Sequence, residues 1–171
     1  FSKSKSDFNN AQEQFNAFNK DIQNAINKNT STKDINIRNN AKKKVSIDNT
    51  IYETRQKFIQ EASSYERKAG FGIDEKHNIE MAKLLESKAR MLQELKKGSE
   101  YLISGYENSF KAYENKQLSE DEYKQVLSKL DIKNQKIEKI YNQILNITEN
   151  TSDYTYEKIN QNIWIVSPMG D

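Results

Sequence analysis

The sequence predicts an all-α protein: an elongated antiparallel helical bundle or coiled coil of about four long helices, followed by a short irregular C-terminal tail. Two observations predict it. The 171 residues are 35% hydrophobic and 30% charged, too few apolar side chains for a thick core but enough for helices that each bury one narrow stripe. Apolar residues also recur three and four positions apart in four separate stretches.

The first stretch predicts a helix over about residues 5–28, ended by the polar residues 27–32. Its apolar residues form a heptad stripe in which large and small side chains alternate, which favours interdigitation with a facing helix: Phe8, Ala11, Phe15, Phe18, Ile22 and Ala25. We therefore expect this stripe to be part of a buried core.

A second helix is predicted over about residues 33–69, with Ser31 or Thr32 as its N-cap and Gly70 at the position that follows its end. Its stripe is formed by Ile37, Ala41, Ile51, Phe58, Ala62, Tyr65 and Ala69. Polar residues at 44, 48 and 55 interrupt this stripe. The apolar Val45 and Ile47 beside the gap predict a local shift of the buried face.

The third helix is predicted over about residues 75–115, with Asp74 as its N-cap. Its stripe is the longest: Ala82, Leu85, Ala89, Leu92, Ser99, Ile103, Tyr106, Phe110 and Tyr113. Further apolar residues widen that face, which predicts contact with two partner helices: Met81, Leu84, Met91, Leu95 and Leu102. Gly98 and Gly105 lie on one face, and they indicate a bend or a close approach of another helix.

The fourth helix is predicted over about residues 120–148, and its start carries the clearest local signal in the chain. Ser119 and Glu122 match a capping box, and Leu118 with Tyr123 matches a hydrophobic staple. We therefore expect a bundle over residues 1–148. The tail, residues 149–171, is expected to pack on the bundle in an extended or helical form.

The composition argues against the common catalytic and metal-binding chemistries. The chain has no Cys and a single His, His77, which leaves no multi-histidine metal site, and no glycine-rich phosphate-binding motif is present. A narrow heptad stripe also offers no pocket in which two carboxylates could acquire different pKa values. We expect no enzyme activity, no cofactor and no metal. The sequence contains no run of 18 apolar residues, so it predicts no membrane span.

Three features are candidates for partner binding. Phe71 lies between two glycines at a predicted hairpin tip, where it either folds back onto the bundle end or stays exposed as a contact. Lys42, Lys43 and Lys44 form the densest basic cluster, which is either an ordinary solvated face or an anion-binding site. Trp164 is the single tryptophan and lies in the tail.

These observations predict a non-catalytic helical interaction or scaffold protein, in the exported or surface-anchored soluble part of a bacterial protein. The start at Phe1 without Met suggests a removed segment, and the abundance of Lys, Asn, Ile, Tyr and Phe is typical of a low-GC genome. An extracytoplasmic or cell-surface, lipoprotein-like location follows. The alternative is a cytoplasmic coiled-coil adaptor or assembly subunit.

The expected partner is a protein, because a net charge of +2 gives no argument for nucleic acid. Membrane contact is expected only through a removed N-terminal anchor. Heptad stripes also allow oligomers to form.

Overall fold

The computed structural model describes residues 10–22, 32–149, 158–159 and 161–162. The chain divides into two compact units, residues 1–37 and residues 38–171. The helices are α1 (residues 10–22), α2 (Thr32–Lys44), α3 (Ile47–Gly70), α4 (Glu75–Glu114) and α5 (Glu120–Leu145), and the described residues contain no strand. The all-α prediction is confirmed. Within the described residues, no helix is both long and apolar enough to cross a membrane.

Helix α4 is the centre of the second unit, and at about 1.5 Å per residue its 40 residues span about 60 Å. Both α3 and α5 pack against it. Lys96 meets Asp48 near the start of α3, whereas His77 meets Tyr65 near its end, so α3 and α4 are antiparallel. Because α4 has two partner helices, the prediction from its widened apolar face is confirmed.

Helix α5 is antiparallel to α4 as well. The Tyr106 hydroxyl donates to Asp131 at 2.6 Å, and Tyr113 stacks on Tyr123 with 4.6 Å between ring centroids. A Cβ on Gly105 would lie 3.0 Å from a methyl carbon of Leu130, so this glycine permits the close approach of α5 to α4.

The core of the second unit is aliphatic and continuous through α2, α3, α4 and α5. Its fully buried apolar side chains are Val45, Ile51, Met91, Leu92, Leu95, Leu102, Ile137 and Ile144. Ile159, one of the few described residues of the tail, is buried in the same cluster. Trp164, the tail residue predicted as a binding candidate, lies outside the described residues.

The second predicted helix, residues 33–69, is interrupted at Val45 and Ser46. Val45 is fully buried and takes the core position that the polar residues beside it cannot fill. The amide of Asp48 donates to the carbonyl of Val45, which is an i→i−3 bond tighter than the α-helical pattern. This local tightening moves the apolar stripe onto Val45, so the predicted shift is confirmed and the single continuous helix is wrong.

The break also places the carboxylate of Asp48, at the start of α3, against the core. The Asp48 carboxylate accepts a hydrogen bond from the buried Ser99 hydroxyl and pairs with the Lys96 ammonium at 2.6 Å. A carboxylate facing a core is costly unless it is paired and hydrogen-bonded, and both conditions are met here.

Helix α1 exists, but its predicted buried stripe is wrong for the residues described. Phe15 and Phe18 are each 61% exposed, and Ile22 is 40% exposed. Phe8 and Ala25, the remaining ends of that stripe, lie outside the described residues. Heptad spacing specifies an amphipathic helix, but it does not specify that a partner helix of this chain covers the apolar face.

Candidate interaction surfaces

The turn between α3 and α4 exposes the largest apolar side chains of any interhelical turn described. Phe71 is 81% exposed and Ile73 is 57% exposed. The interpretation in which Phe71 folds back onto the bundle end is therefore wrong, and the exposed alternative is the one found. We call residues 71–73 the hairpin tip.

The backbone of the hairpin tip is fixed by hydrogen bonds to the end of α3. The amide of Ile73 donates to the carbonyl of Lys68 at 3.0 Å, and the amide of Gly72 donates to that of Ala69 at 2.9 Å. These bonds define a Schellman motif, in which the C′ residue adopts the left-handed conformation. That residue is Gly72, with φ +75°, so the prediction of Gly70 as the C′ glycine is wrong.

The start of α4 is fixed by an amide side chain rather than by its N-cap. Asp74 has φ 37° and ψ 54°, and its side chain accepts no capping bond, so its predicted capping role is wrong. The buried Asn78 instead donates from Nδ2 to the carbonyl of Ile73 at 2.6 Å. The tip is thus held from both helices while its apolar side chains remain in water.

Charges around the hairpin tip are balanced. The sequence beside the tip carries three cations, Arg67, Lys68 and Lys76, and three carboxylates, at positions 66, 74 and 75. The Lys68 ammonium lies 5.4 Å from the Tyr65 ring centroid, in a cation–π arrangement. The tip is an apolar surface with no net electrostatic preference for one sign of charge.

A second surface lies where α2 gives way to α3 against α4. An open groove of about 880 Å³ runs between residues 38–49 on one side and residues 96–104 of α4 on the other, and we call it the basic groove. Arg38, Lys42 and Lys43 line its α2 side, while Lys96 and Lys97 line its α4 side. The break at Val45 and Ser46 helps to form this groove.

Three of the five groove cations are already paired. Arg38 contacts Glu107 at 3.2 Å and Lys97 contacts Glu94 at 3.2 Å, while Lys96 holds Asp48 at 2.6 Å. Lys42 and Lys43 have no ion pair among the residues that the structure describes. Lys44 is directed elsewhere, with its ammonium 5.0 Å from the Tyr106 ring centroid. The three-lysine cluster predicted as one candidate is therefore divided.

Two buried titratable groups, Lys88 and Tyr106, have structural explanations. The buried Lys88 ammonium donates to the carbonyls of Leu145 and Ile147, each at 2.9 Å, and so caps the end of α5. Burial lowers the pKa of Lys88, and burial also raises the pKa of Tyr106 above its usual value. Among the described residues, no group of three His, Asp or Glu side chains is arranged to hold a metal ion.

The predicted site residues thus have different outcomes. Phe71 is exposed on an ordered turn, Lys42 and Lys43 line a groove, Lys44 packs on an aromatic ring, and Trp164 lies outside the described residues. Sequence reasoning missed Ile73 and the α4 side of the groove. The sequence contained a signal for Ile73, because this apolar residue directly follows the Gly-Phe-Gly turn. It contained none for Lys96 and Lys97, which are some fifty residues from Lys42 and line the same groove only in the folded chain.

Comparison with known proteins gives no family for this chain: no family model, no curated protein and no solved structure matches it.

Proposed function

We propose that this chain is a non-catalytic helical interaction protein that contacts a protein partner through its hairpin tip. The observation that carries the proposal is the exposure of Phe71 and Ile73 on a turn whose backbone is fixed. Binding energy at protein interfaces is concentrated in a few anchors, and aromatic side chains are enriched among them. A rigid tip also loses little conformational entropy on binding, which raises affinity.

A protein pocket fits the tip better than a lipid surface does. Burying two apolar side chains gives about 1.5–3 kcal/mol each, and reversible anchoring to a bilayer usually needs more apolar contact or a polybasic patch. Because the cations and carboxylates beside the tip are equal in number, the tip has no polybasic patch that would attract an anionic membrane surface. A pocket lined by apolar side chains, with polar groups at its rim, needs no such patch.

The helix stripes of the second unit are less suitable as binding surfaces. The stripes of α3, α4 and α5 are consumed by packing against one another, with side chains such as Ile51, Leu92 and Ile137 fully buried. A partner helix would have to open this core first. The tip is available without any rearrangement.

A site-specific cross-link tests the proposal. Benzoylphenylalanine placed at position 71 should capture a partner in extract of the source cell, whereas the same group at position 52 should not. Tyr52 is a matched control because it is an aromatic residue on α3 with a 52% exposed side chain, away from the tip.

The captured partner is then purified and titrated. Phe71→Ala and Ile73→Ser should each weaken its binding by about tenfold, the equivalent of about 1.4 kcal/mol, with little dependence on salt. Tyr52→Ala should bind like the parent. Equal affinities for the parent and Phe71→Ala would refute the proposal, and so would tight binding to vesicles of phosphatidylcholine and phosphatidylserine that Phe71→Ala abolishes.

A further inference from the structure

The basic groove is a second surface, independent of the hairpin tip, and its geometry belongs to the described residues of the second unit alone. Its floor includes two buried apolar residues, Val45 and Ile103. Its α4 side runs over nine residues from Lys96 to Ser104, and the eight steps of about 1.5 Å between them span about 12 Å. That length accommodates about four residues of an extended peptide at about 3.3 Å each.

From the groove we infer that this protein binds a short acidic segment of a polypeptide, with Lys42 and Lys43 as the carboxylate-binding cations. These two ammonium groups are the groove cations without an ion pair in the described part of the chain. The other three cations are balanced by Glu107, Asp48 and Glu94. The uncompensated charge therefore lies on the α2 side of the groove.

The groove also supplies uncharged contacts suited to a peptide. Tyr101 is 42% exposed on the α4 side, and tyrosine covers peptide surface at small entropic cost. The hydroxyls of Ser46 and Ser104 both line the groove and can donate to or accept from a peptide backbone. These residues line the same groove as Lys42 and Lys43.

A peptide is favoured over a nucleic acid by the carboxylates of the groove. Asp48 and Glu100 both line it, and each contacts Lys96, at 2.6 Å and 3.5 Å respectively. Closely spaced phosphates would meet those carboxylates with like charge. A peptide can place two carboxylates at Lys42 and Lys43 and present uncharged backbone to the rest.

Lys44 provides an internal control. It is adjacent in sequence and carries the same charge, but it does not line the groove and its ammonium lies over the Tyr106 ring. A diffuse attraction between the protein surface and any anion would treat the three lysines alike. A groove site requires Lys42 and Lys43 and is indifferent to Lys44.

The test is a titration of the full chain with a fluorescein-labelled Glu-Glu-Gly-Gly peptide amide, which carries two side-chain carboxylates and an otherwise uncharged backbone. The double variant Lys42→Ala, Lys43→Ala should bind the peptide about five- to tenfold more weakly, and Lys44→Ala should stay within about twofold of the parent. Raising the salt from about 0.05 M to about 0.2 M should weaken binding to the parent more than binding to the double variant. Peptide-induced shifts of backbone amide resonances should be confined to residues 42–49 and 96–104.

Three results would overturn the inference. An equal loss for Lys44→Ala and for the double variant would indicate diffuse electrostatics. Equal or tighter binding of an oligothymidylate would assign the groove to nucleic acid. No saturable binding of the Glu-Glu-Gly-Gly peptide at low salt would remove the site. None of these results bears on the hairpin tip, because the tip shares no residue with the groove.

Discussion

Two turns of the second unit can be compared: the turn between α3 and α4, and the turn between α4 and α5. The helix before each turn ends with the same backbone motif. The turns differ in how the next helix begins and in how far their apolar side chains are exposed. Each closes with a Schellman motif, centred on Gly72 in the first turn and on Lys116 in the second. In the second, the amide of Gln117 donates to the carbonyl of Ala112 at 2.9 Å. The left-handed residue is a glycine in one case and a lysine with φ 61° in the other.

The next helix begins very differently in the two turns. Before α5, the Ser119 hydroxyl accepts from the amide of Glu122, and the Glu122 carboxylate accepts from the amide of Ser119, both at 3.1 Å. This is the predicted capping box, and it is confirmed. Before α4, Asp74 makes no capping bond and adopts a left-handed conformation.

The apolar residues of the two turns show the same contrast. Leu118 is half-buried, whereas Phe71 and Ile73 lie mostly in water. The second turn combines the local features that stabilise a helix–helix connection. The first turn omits some of them and exposes its apolar side chains, which is consistent with the binding role proposed above.

The largest expected effect concerns Gly72. Gly72→Ala should lower the free energy of unfolding by about 1–2 kcal/mol, because an L-residue at φ +75° is strained although no atom lies within 4 Å of the new Cβ. Gly70→Ala is the matched control: it also meets open space, but its φ is helical and Ala is the better helix former, so it should stabilise the protein. Urea denaturation measures both, and a loss of equal size for the two would contradict the Schellman assignment.

Substitutions at the two N-cap positions should change the free energy of unfolding by unequal amounts. Ser119→Ala should cost about 1 kcal/mol, because it removes the acceptor for the Glu122 amide. Asp74→Asn should change stability by less than about 0.5 kcal/mol, since no capping bond is lost there. Thermal melts compare the two, and an equal cost would mean that the starts of α4 and α5 are not energetically different.

The contribution of the same capping box to stability should decrease at acidic pH. The bond from the backbone N–H of Ser119 lowers the pKa of Glu122. Because the folded pKa is depressed, the contribution of this carboxylate is present above the unfolded pKa and is lost as the pH falls through the folded value. The stability advantage of the parent over Glu122→Gln should therefore shrink at acidic pH, in melts repeated across the carboxylate titration range.

Replacing the left-handed lysine should make the second turn resemble the first. Lys116→Gly should raise the free energy of unfolding by about 0.5–1 kcal/mol, because glycine adopts φ 61° without steric cost. Lys129→Gly, an exposed site inside α5, should instead cost about 1 kcal/mol. Opposite signs in denaturant titrations are the expected result, and a loss for both variants would show that backbone strain at Lys116 is negligible.

The smallest effect is expected at the hairpin tip. Phe71→Ala should leave the free energy of unfolding within about 0.5 kcal/mol of the parent, since the side chain is 81% exposed. Leu118→Ala in the other turn should cost about 1 kcal/mol through lost apolar burial. A large loss for Phe71→Ala would show that this ring stabilises the folded chain, and it would remove the main argument for a binding role.

Local features of this protein could be read from the sequence because they depend on neighbours along the chain. The start of α5 needs only Ser119, Glu122 and their spacing, and the apolar faces of α3 and α4 need only their periodicity. The exposure of Phe71 was one of two stated alternatives, because a Gly-Phe-Gly turn permits both. The capping bonds and the backbone geometry of a helix join residues about three or four positions apart, so sequence distance is a sufficient guide there.

The tertiary structure alone decided the features that join distant parts of the chain. At the break, the Val45 side chain is buried in the core with residues of α4 and α5. Asp48 contacts Lys96 and Ser99, which are some fifty positions away in the sequence. We attribute the break to these long-range contacts. The same packing places Lys96 and Lys97 opposite Lys42 and directs Lys44 onto Tyr106. Periodicity fixes which face of a helix is apolar, but the free energies of burial and ion pairing that select its partners depend on groups brought together only by the fold.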